Sequence, residues 1–148
     1  MDAPLRTRTT RADYPHFEPI TTRWADNDIY GHANNAVYYQ WIDTAVNRVL
    51  IDRKTLIPGK TPIFGVVAEN GCRFFAEIAY PDRVDVGICI VRMGTTSIRY
   101  ELGVFRGGDD LAAAVAHFAH VYVTGSTMRP VAIPDSVRVA LADLVREK

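Results

Sequence analysis

The chain has 148 residues, which fits one domain large enough to bury a core without covalent staples. Its composition, 48% hydrophobic and 23% charged, is that of an ordinary soluble globular protein. Seventeen basic and seventeen acidic residues cancel to zero net charge. That argues against a nucleic-acid or other polyanion partner, while a local basic patch for a phosphate stays open and self-association meets little electrostatic opposition.

Residues 1 to 15 are polar and rich in arginine and threonine, with Pro4 and Pro15, and read as a loose N-terminal arm. Residues 16 to 148 read as a single domain. His16 to Trp24 has Phe17, Ile20 and β-branched Thr21 and Thr22, a strand pattern. A polar loop follows, Trp24-Ala25-Asp26-Asn27-Asp28-Ile29-Tyr30-Gly31-His32-Ala33-Asn34-Asn35. From Asn35 to Ile51 the period becomes helical: Tyr38, Ile42, Ala45 and Val49 share one face. Tyr39, Trp41, Val46 and Leu50 widen that face until few polar positions remain, so this helix expects to be wrapped rather than laid on a surface. Asn34 or Asn35 suits its N-cap.

After Pro58-Gly59 the chain reads as strands. Pro62 to Glu69 and Cys72 to Tyr80 flank Asn70-Gly71, a dipeptide that predicts a hairpin turn. Val84, Val86, Ile88 and Ile90 alternate with smaller or polar residues, and Ile98, Tyr100, Leu102 and Val104 do the same. Met93-Gly94-Thr95 and Gly107-Gly108-Asp109-Asp110 read as turns. In Leu111 to Val123 alanine content favours helix, but alternation and a β-prone end favour strand, and the segment reads as a strand. Pro134 or Asp135 opens a short amphipathic helix with Val137, Leu141 and Leu144 inward. One buried helix with four or five antiparallel strands is an α+β arrangement whose sheet must curl around the helix, and its open edges make dimerisation natural.

Cys72 and Cys89 lie in apolar runs with no ligand spacing, as buried reduced thiols of a cytoplasmic protein would. No apolar run is long enough for a membrane span. His117 and His120 are three residues apart, which on a strand places them on opposite faces and speaks against a shared metal.

The polar loop draws most interest. Two carboxylates, a glycine, a histidine and two asparagines crowd the entrance of an apolar helix, and a helix N-terminus favours developing negative charge. The order strand, Arg23-Trp24, Asp26-x-Asp28, Gly31-His32-x-Asn34-Asn35, then helical Tyr38-Tyr39 resembles the hotdog-fold acyl-CoA thioesterases of the 4-hydroxybenzoyl-CoA thioesterase type. Tyr80-Pro81 before a strand and Arg129-Pro130-Val131-Ala132-Ile133-Pro134 before the last helix extend the likeness over nearly the whole chain. The resemblance implies a curved antiparallel sheet of about five strands around one long central helix, with a short C-terminal helix. It also implies hydrolysis of an acyl-CoA, with Asp28 as nucleophile or general base and the thioester carbonyl polarised by the backbone N–H of Asn35. Tyr30, Gly31, His32, Asn34 and Tyr38 are the candidate substrate-binding residues, each with a plainer role as loop, cap or core. No metal or redox cofactor is needed. The implied partners are a small-molecule acyl-CoA and other copies of the chain, as a homodimer or homotetramer with active sites between subunits. A non-catalytic protein binding acyl-CoA or acyl-carrier protein is the main alternative. A hotdog hydratase is a further one, although its Asp-x-Asn-Pro-x-His pattern is not met here.

Overall fold

The computed structural model describes residues 7–146. Five long strands, β1 (His16–Thr21), β2 (Ile63–Phe74), β3 (Arg83–Met93), β4 (Ser97–Arg106) and β5 (Ala114–Thr124), form one antiparallel sheet in the order β1-β3-β4-β5-β2. A two-residue strand, β6 (Arg129–Pro130), folds back onto β5. The sheet curls around helix α1 (Asn35–Asp52), and α2 (Asp135–Ala140) follows as the short C-terminal helix. This is the hotdog arrangement that the sequence resemblance implies. Among the described residues no helix is long and apolar enough to cross a membrane.

The alternation in β3 and β4 has its expected consequence. Val84, Val86, Ile88, Ile90, Ile98, Tyr100, Leu102 and Val104 all face inward and are buried with Tyr38, Trp41, Ile42, Ala45, Val46, Val49 and Leu50 of α1. Val137, Leu141 and Leu144 join the same core. At roughly 1.5–3 kcal/mol for each large apolar side chain buried, this layer is the main source of stability. The helix ends in a Schellman arrangement: the N–H groups of Lys54 and Thr55 donate to the carbonyls of Ile51 (3.0 Å) and Leu50 (2.9 Å). Lys54 takes the left-handed conformation, φ 62°, that glycine usually supplies.

The predicted hairpin at Asn70-Gly71 does not form. Both predicted halves belong to β2, which runs unbroken through that dipeptide to Phe74 and pairs along its length with β5; Asn70 faces Phe118 and Gly71 faces His117. A hairpin turn needs its flanks to pair with each other, and here β5 is long enough to satisfy both. The glycine has a different use: a Cβ there would lie 2.7 Å from Cε1 of His117. A bulge between Val67 and Glu69 takes up the register difference. The segment expected to continue as strand to Tyr80 leaves the ladder instead, after the N–H groups of Phe75 and Ala76 donate to the Ala113 carbonyl (2.8 and 3.1 Å).

Residues 1–6 of the expected N-terminal arm lie outside the described residues. The later part of the arm is seated on the outer face of the sheet, where Thr9 and Tyr14 are buried and Arg11–Asp13 forms a 3₁₀ turn. Gly87 and Gly103 are cross-strand partners, and the missing side chains leave a trough for the Tyr14 ring; a Cβ on Gly103 would lie 2.6 Å from it. Cys89, Phe105, Ala112 and Val115 complete this second small core. Arg146 crosses over the Tyr14 ring (5.8 Å) and pairs with buried Glu101 (2.7 Å), which fastens the two ends of the described chain together. No disulfide joins Cys72 to Cys89.

His120 is 2% exposed on the inner face, with its Nδ1 lacking a hydrogen-bond partner among the described residues. Burial pushes its pKa down to about 4 from 6.5, so the folded protein keeps the ring neutral. The unfolded chain takes up a proton below pH 6.5 that the folded chain refuses, so the His120 contribution to stability is lost as pH falls from about 6.5 towards 4 and changes no further below that. The loss is on the order of 3 kcal/mol by the one-unit conversion. Urea unfolding at stepped pH should show this slope, and His120→Leu should reduce it by the equivalent of one proton.

Candidate active site

The loop between β1 and α1 is built around two aspartates with opposite fates. Asp26, at the end of a 3₁₀ turn (Trp24–Asp26), is 1% exposed. Its Oδ2 accepts the Arg23 N–H at 2.8 Å, and its Oδ1 accepts Nε and Nη2 of Arg23 at 3.0 and 2.8 Å. Its carbonyl accepts the Asn34 N–H at 3.0 Å. Every part of Asp26 is engaged in holding the loop to the helix start.

Asp28 is only half-buried. Its N–H donates to the His32 carbonyl (3.0 Å), and its carbonyl accepts from Gly31 (3.1 Å), closing a tight turn. Gly31 sits at φ 86°, a conformation that costs other residues strain. The Asp28 carboxylate accepts the Tyr30 N–H at Oδ1 (2.9 Å) and the Asn34 side-chain amide at Oδ2 (3.3 Å). No cation pairs with it among the described residues. The carboxylate is therefore aimed by neutral donors.

Asn34 is the N-cap of α1. Its Oδ1 accepts the Ala36 N–H and its carbonyl accepts the Val37 N–H, each at 2.9 Å. The Asn35 N–H has no hydrogen-bond partner among the described residues, and it carries the positive end of the helix dipole. One asparagine thus caps the helix with its oxygen and orients Asp28 with its nitrogen.

Asp28, Asn34 and Asn35 open onto a pocket of about 350 Å³. Tyr38, Phe74 and Ala76 give it an apolar lining, with the Tyr38 and Phe74 rings edge-on at 5.0 Å. Burial raises the Tyr38 phenol to about 12, which keeps it neutral. His32 and Glu77 lie on the wall, 3.7 Å apart. The arrangement offers a carboxylate, an oriented backbone donor and an apolar recess, the requirements of attack on a polarised acyl group.

A match to the thioesterase-like superfamily spans residues 22–141. The chain belongs to that superfamily. Among solved structures this thioesterase-like protein is similar to a protein of Pseudomonas aeruginosa, with 45% identity over 95% of this chain and 99% of the other and a TM-score of 0.92. It is also similar to a thioesterase from Thermus thermophilus in complex with coenzyme A and Zn, with 27% identity, 89% and 95% coverage and a TM-score of 0.72. A 1,4-dihydroxy-2-naphthoyl-CoA thioesterase from Synechocystis shares the fold at 18% identity over 86% of this chain and 96% of the other, with a TM-score of 0.77. Comparison with curated proteins gives no match.

In this thioesterase-like protein Asp28, Tyr30, His32, Asn34, Asn35 and Tyr38 all border the one pocket. Gly31 borders an adjoining hollow that shares Asp28, Tyr30 and Asn34 with the first. Phe74, Ala76 and Glu77 were not foreseen as site residues. They arrive because β2 ends at Phe74 and the chain then crosses in front of the helix start, where the Ala33 N–H donates to the Ile78 carbonyl (2.7 Å). Nothing in local spacing signals that crossing. His117 and His120 do fall on opposite faces of β5: His117 meets Glu69 at 3.1 Å, and His120 points into the core.

Asn34→Ala removes the cap and the Nδ2 donor together. A loss of about 1 kcal/mol is expected, seen in a thermal melt as a fall of about 3 °C for a domain of this size.

Proposed function

We propose that this protein hydrolyses an acyl-CoA thioester to the free acid and CoA. The observation that carries the proposal is the convergence of the Asp28 carboxylate and the unclaimed Asn35 N–H on one aromatic-lined pocket. Membership of the thioesterase-like superfamily supports it, as does the likeness to the Thermus thermophilus thioesterase complexed with coenzyme A.

In the proposed reaction the thioester carbonyl oxygen lies against the Asn35 N–H, with the acyl group over Tyr38 and Phe74. Asp28 takes a proton from water as the water oxygen attacks the carbonyl carbon, or its own oxygen attacks to give an anhydride that water then opens. In either case the C–S bond breaks, the acyl group leaves as carboxylate, and the sulfur leaves as thiolate and takes up one of the two protons that water supplies; the other passes to solvent and Asp28 is left as carboxylate. Negative charge that gathers on the carbonyl oxygen is met by the N–H and the helix dipole; loss of a comparable donor costs about 3–4 kcal/mol in transition-state stabilisation. The proposed location is the cytoplasm, where cysteines stay reduced.

We propose further that the active sites lie between subunits of a homodimer or homotetramer. Ile29 and Tyr30 beside the site are 92% and 77% exposed, and the outer edge of β2 has no strand beside it among the described residues. Apolar surface and an open strand edge of this kind are what a second copy covers. Light scattering should give twice or four times the chain mass; a monomer at assay concentration would overturn this assembly.

Asp28→Asn keeps the shape of the loop and removes the base. Free-thiol release, followed over acyl-CoAs of graded length and one aryl member, should fall at least about a hundredfold in kcat. Unchanged turnover would remove Asp28 from the chemistry. Binding of acyl-CoA by the wild type without thiol release would make the protein a carrier.

A further inference from the structure

Asp28, Tyr30 and Asn34 border two hollows rather than one. The second, of about 600 Å³, is lined as well by Trp24, Ala25, Asn27, Ile29 and Gly31. A thioester has two arms that meet at the scissile carbonyl, and a carboxylate standing between two recesses is where that carbonyl belongs. The inner recess, floored by Tyr38, Phe74 and Ala76, suits the acyl arm. The outer one is open and has an indole in its lining.

Trp24 is 76% exposed although indole is among the side chains that gain most from burial. Its position is built rather than incidental. The 3₁₀ turn that carries it is fixed by the Arg23–Asp26 fork, and Tyr80 stands edge-on to it at 6.2 Å and 79°. Tyr80 is tied to the same loop by its N–H, which donates to the Asn27 side-chain oxygen at 2.9 Å. One residue before the indole, Arg23 directs Nε and Nη2 to Asp26, while its Nη1 has no partner among the described residues and its side chain is 64% exposed.

We infer that the outer hollow is the subsite for the CoA arm, with the adenine ring stacked on the Trp24 indole against Tyr80 and the Arg23 guanidinium beside the phosphates. A flat base gains from an aromatic face whatever its edge pattern, and the remaining arginine donor suits a phosphate oxygen. The inference rests on the proposed hydrolysis and assigns the leaving-group half of its substrate. Ile29 and Tyr30, which also line the hollow, remain for the second copy.

The test uses an acyl-CoA and the same acyl group on N-acetylcysteamine, which lacks the nucleotide. In Trp24→Ala the ratio of kcat/KM for the CoA thioester to that for the truncated thioester should fall roughly tenfold, mostly through KM, and Trp24→Phe should restore most of it. Independently of turnover, free CoA should quench the tryptophan emission of the wild type. The Trp24→Phe variant, left with Trp41 buried in the core, should show little quenching, and pantetheine should quench neither. An unchanged ratio with unchanged emission overturns the inference. An equal loss on both thioesters, or a change of oligomeric state in Trp24→Ala, also overturns it by assigning Trp24 to the fold or to a subunit contact. If the wild type releases no thiol from either substrate while CoA still quenches Trp24, hydrolysis is wrong and the CoA subsite stands.

Discussion

A helix that is apolar on most of its circumference has to be enclosed, and the rest of this structure follows from enclosing α1. Seven of its side chains are buried in one core with the inner faces of β3 and β4. A flat sheet covers one side of such a cylinder; a sheet that curls covers more, which is why the strands bend around it. Enclosure leaves the two helix ends at the rim of the sheet. The N-terminal end is where unsatisfied N–H groups gather, so the most polar part of the backbone is delivered to the border between the core and solvent. A pocket there has an apolar floor from the core and oriented donors at its mouth.

The loop that approaches this end divides its work between two carboxylates. Asp26 is buried and bound by Arg23 through three hydrogen bonds, so it fixes the loop and has nothing left for a substrate. Asp28 receives one backbone N–H and one amide, enough to set its direction without neutralising it. Asn34 couples the two layers: its backbone N–H is bound to Asp26, its side-chain oxygen caps the helix, and its side-chain nitrogen reaches Asp28. The position of the carboxylate is thereby linked to the start of the helix.

Much of this was legible in the sequence because it is local. The four-and-three spacing of Tyr38, Ile42, Ala45 and Val49 marks a helix, and alternation along Val84–Ile90 and Ile98–Val104 marks inward strand faces. The polar loop and a cap at Asn34 or Asn35 follow from neighbouring residues alone, and the structure selects Asn34. What was not legible depends on partners distant in the chain. Asn70-Gly71 has the chemistry of a turn, but the length of β5 decides that it is strand. Tyr14 looks like part of a polar tail until Gly87 and Gly103 meet across two strands and leave a trough for its ring. Phe74 and Ala76 reach the pocket only because the ladder stops where Ala113 holds the next two N–H groups.

The same division separates the proposed chemistry from its selectivity. The groups proposed to act on the thioester, Asp28 and the Asn35 N–H, lie within one short segment whose geometry is held by Asp26 and Asn34. The surface proposed to carry the acyl group comes from two places: Tyr38, one turn into α1, and the Phe74–Ala76 stretch that leaves β2. A change at Phe74 alters the depth and shape of the recess while leaving the Asp28 and Asn35 contacts in place, because among the described residues no hydrogen bond connects it to the loop. Removing or adding a methylene in such a recess shifts discrimination by about 1–3 kcal/mol. In the proposed reaction, selectivity for the acyl group is therefore set through the β2–β3 connection and can change without disturbing the helix entrance, so the loop from Asp26 to Asn35 is silent about the substrate.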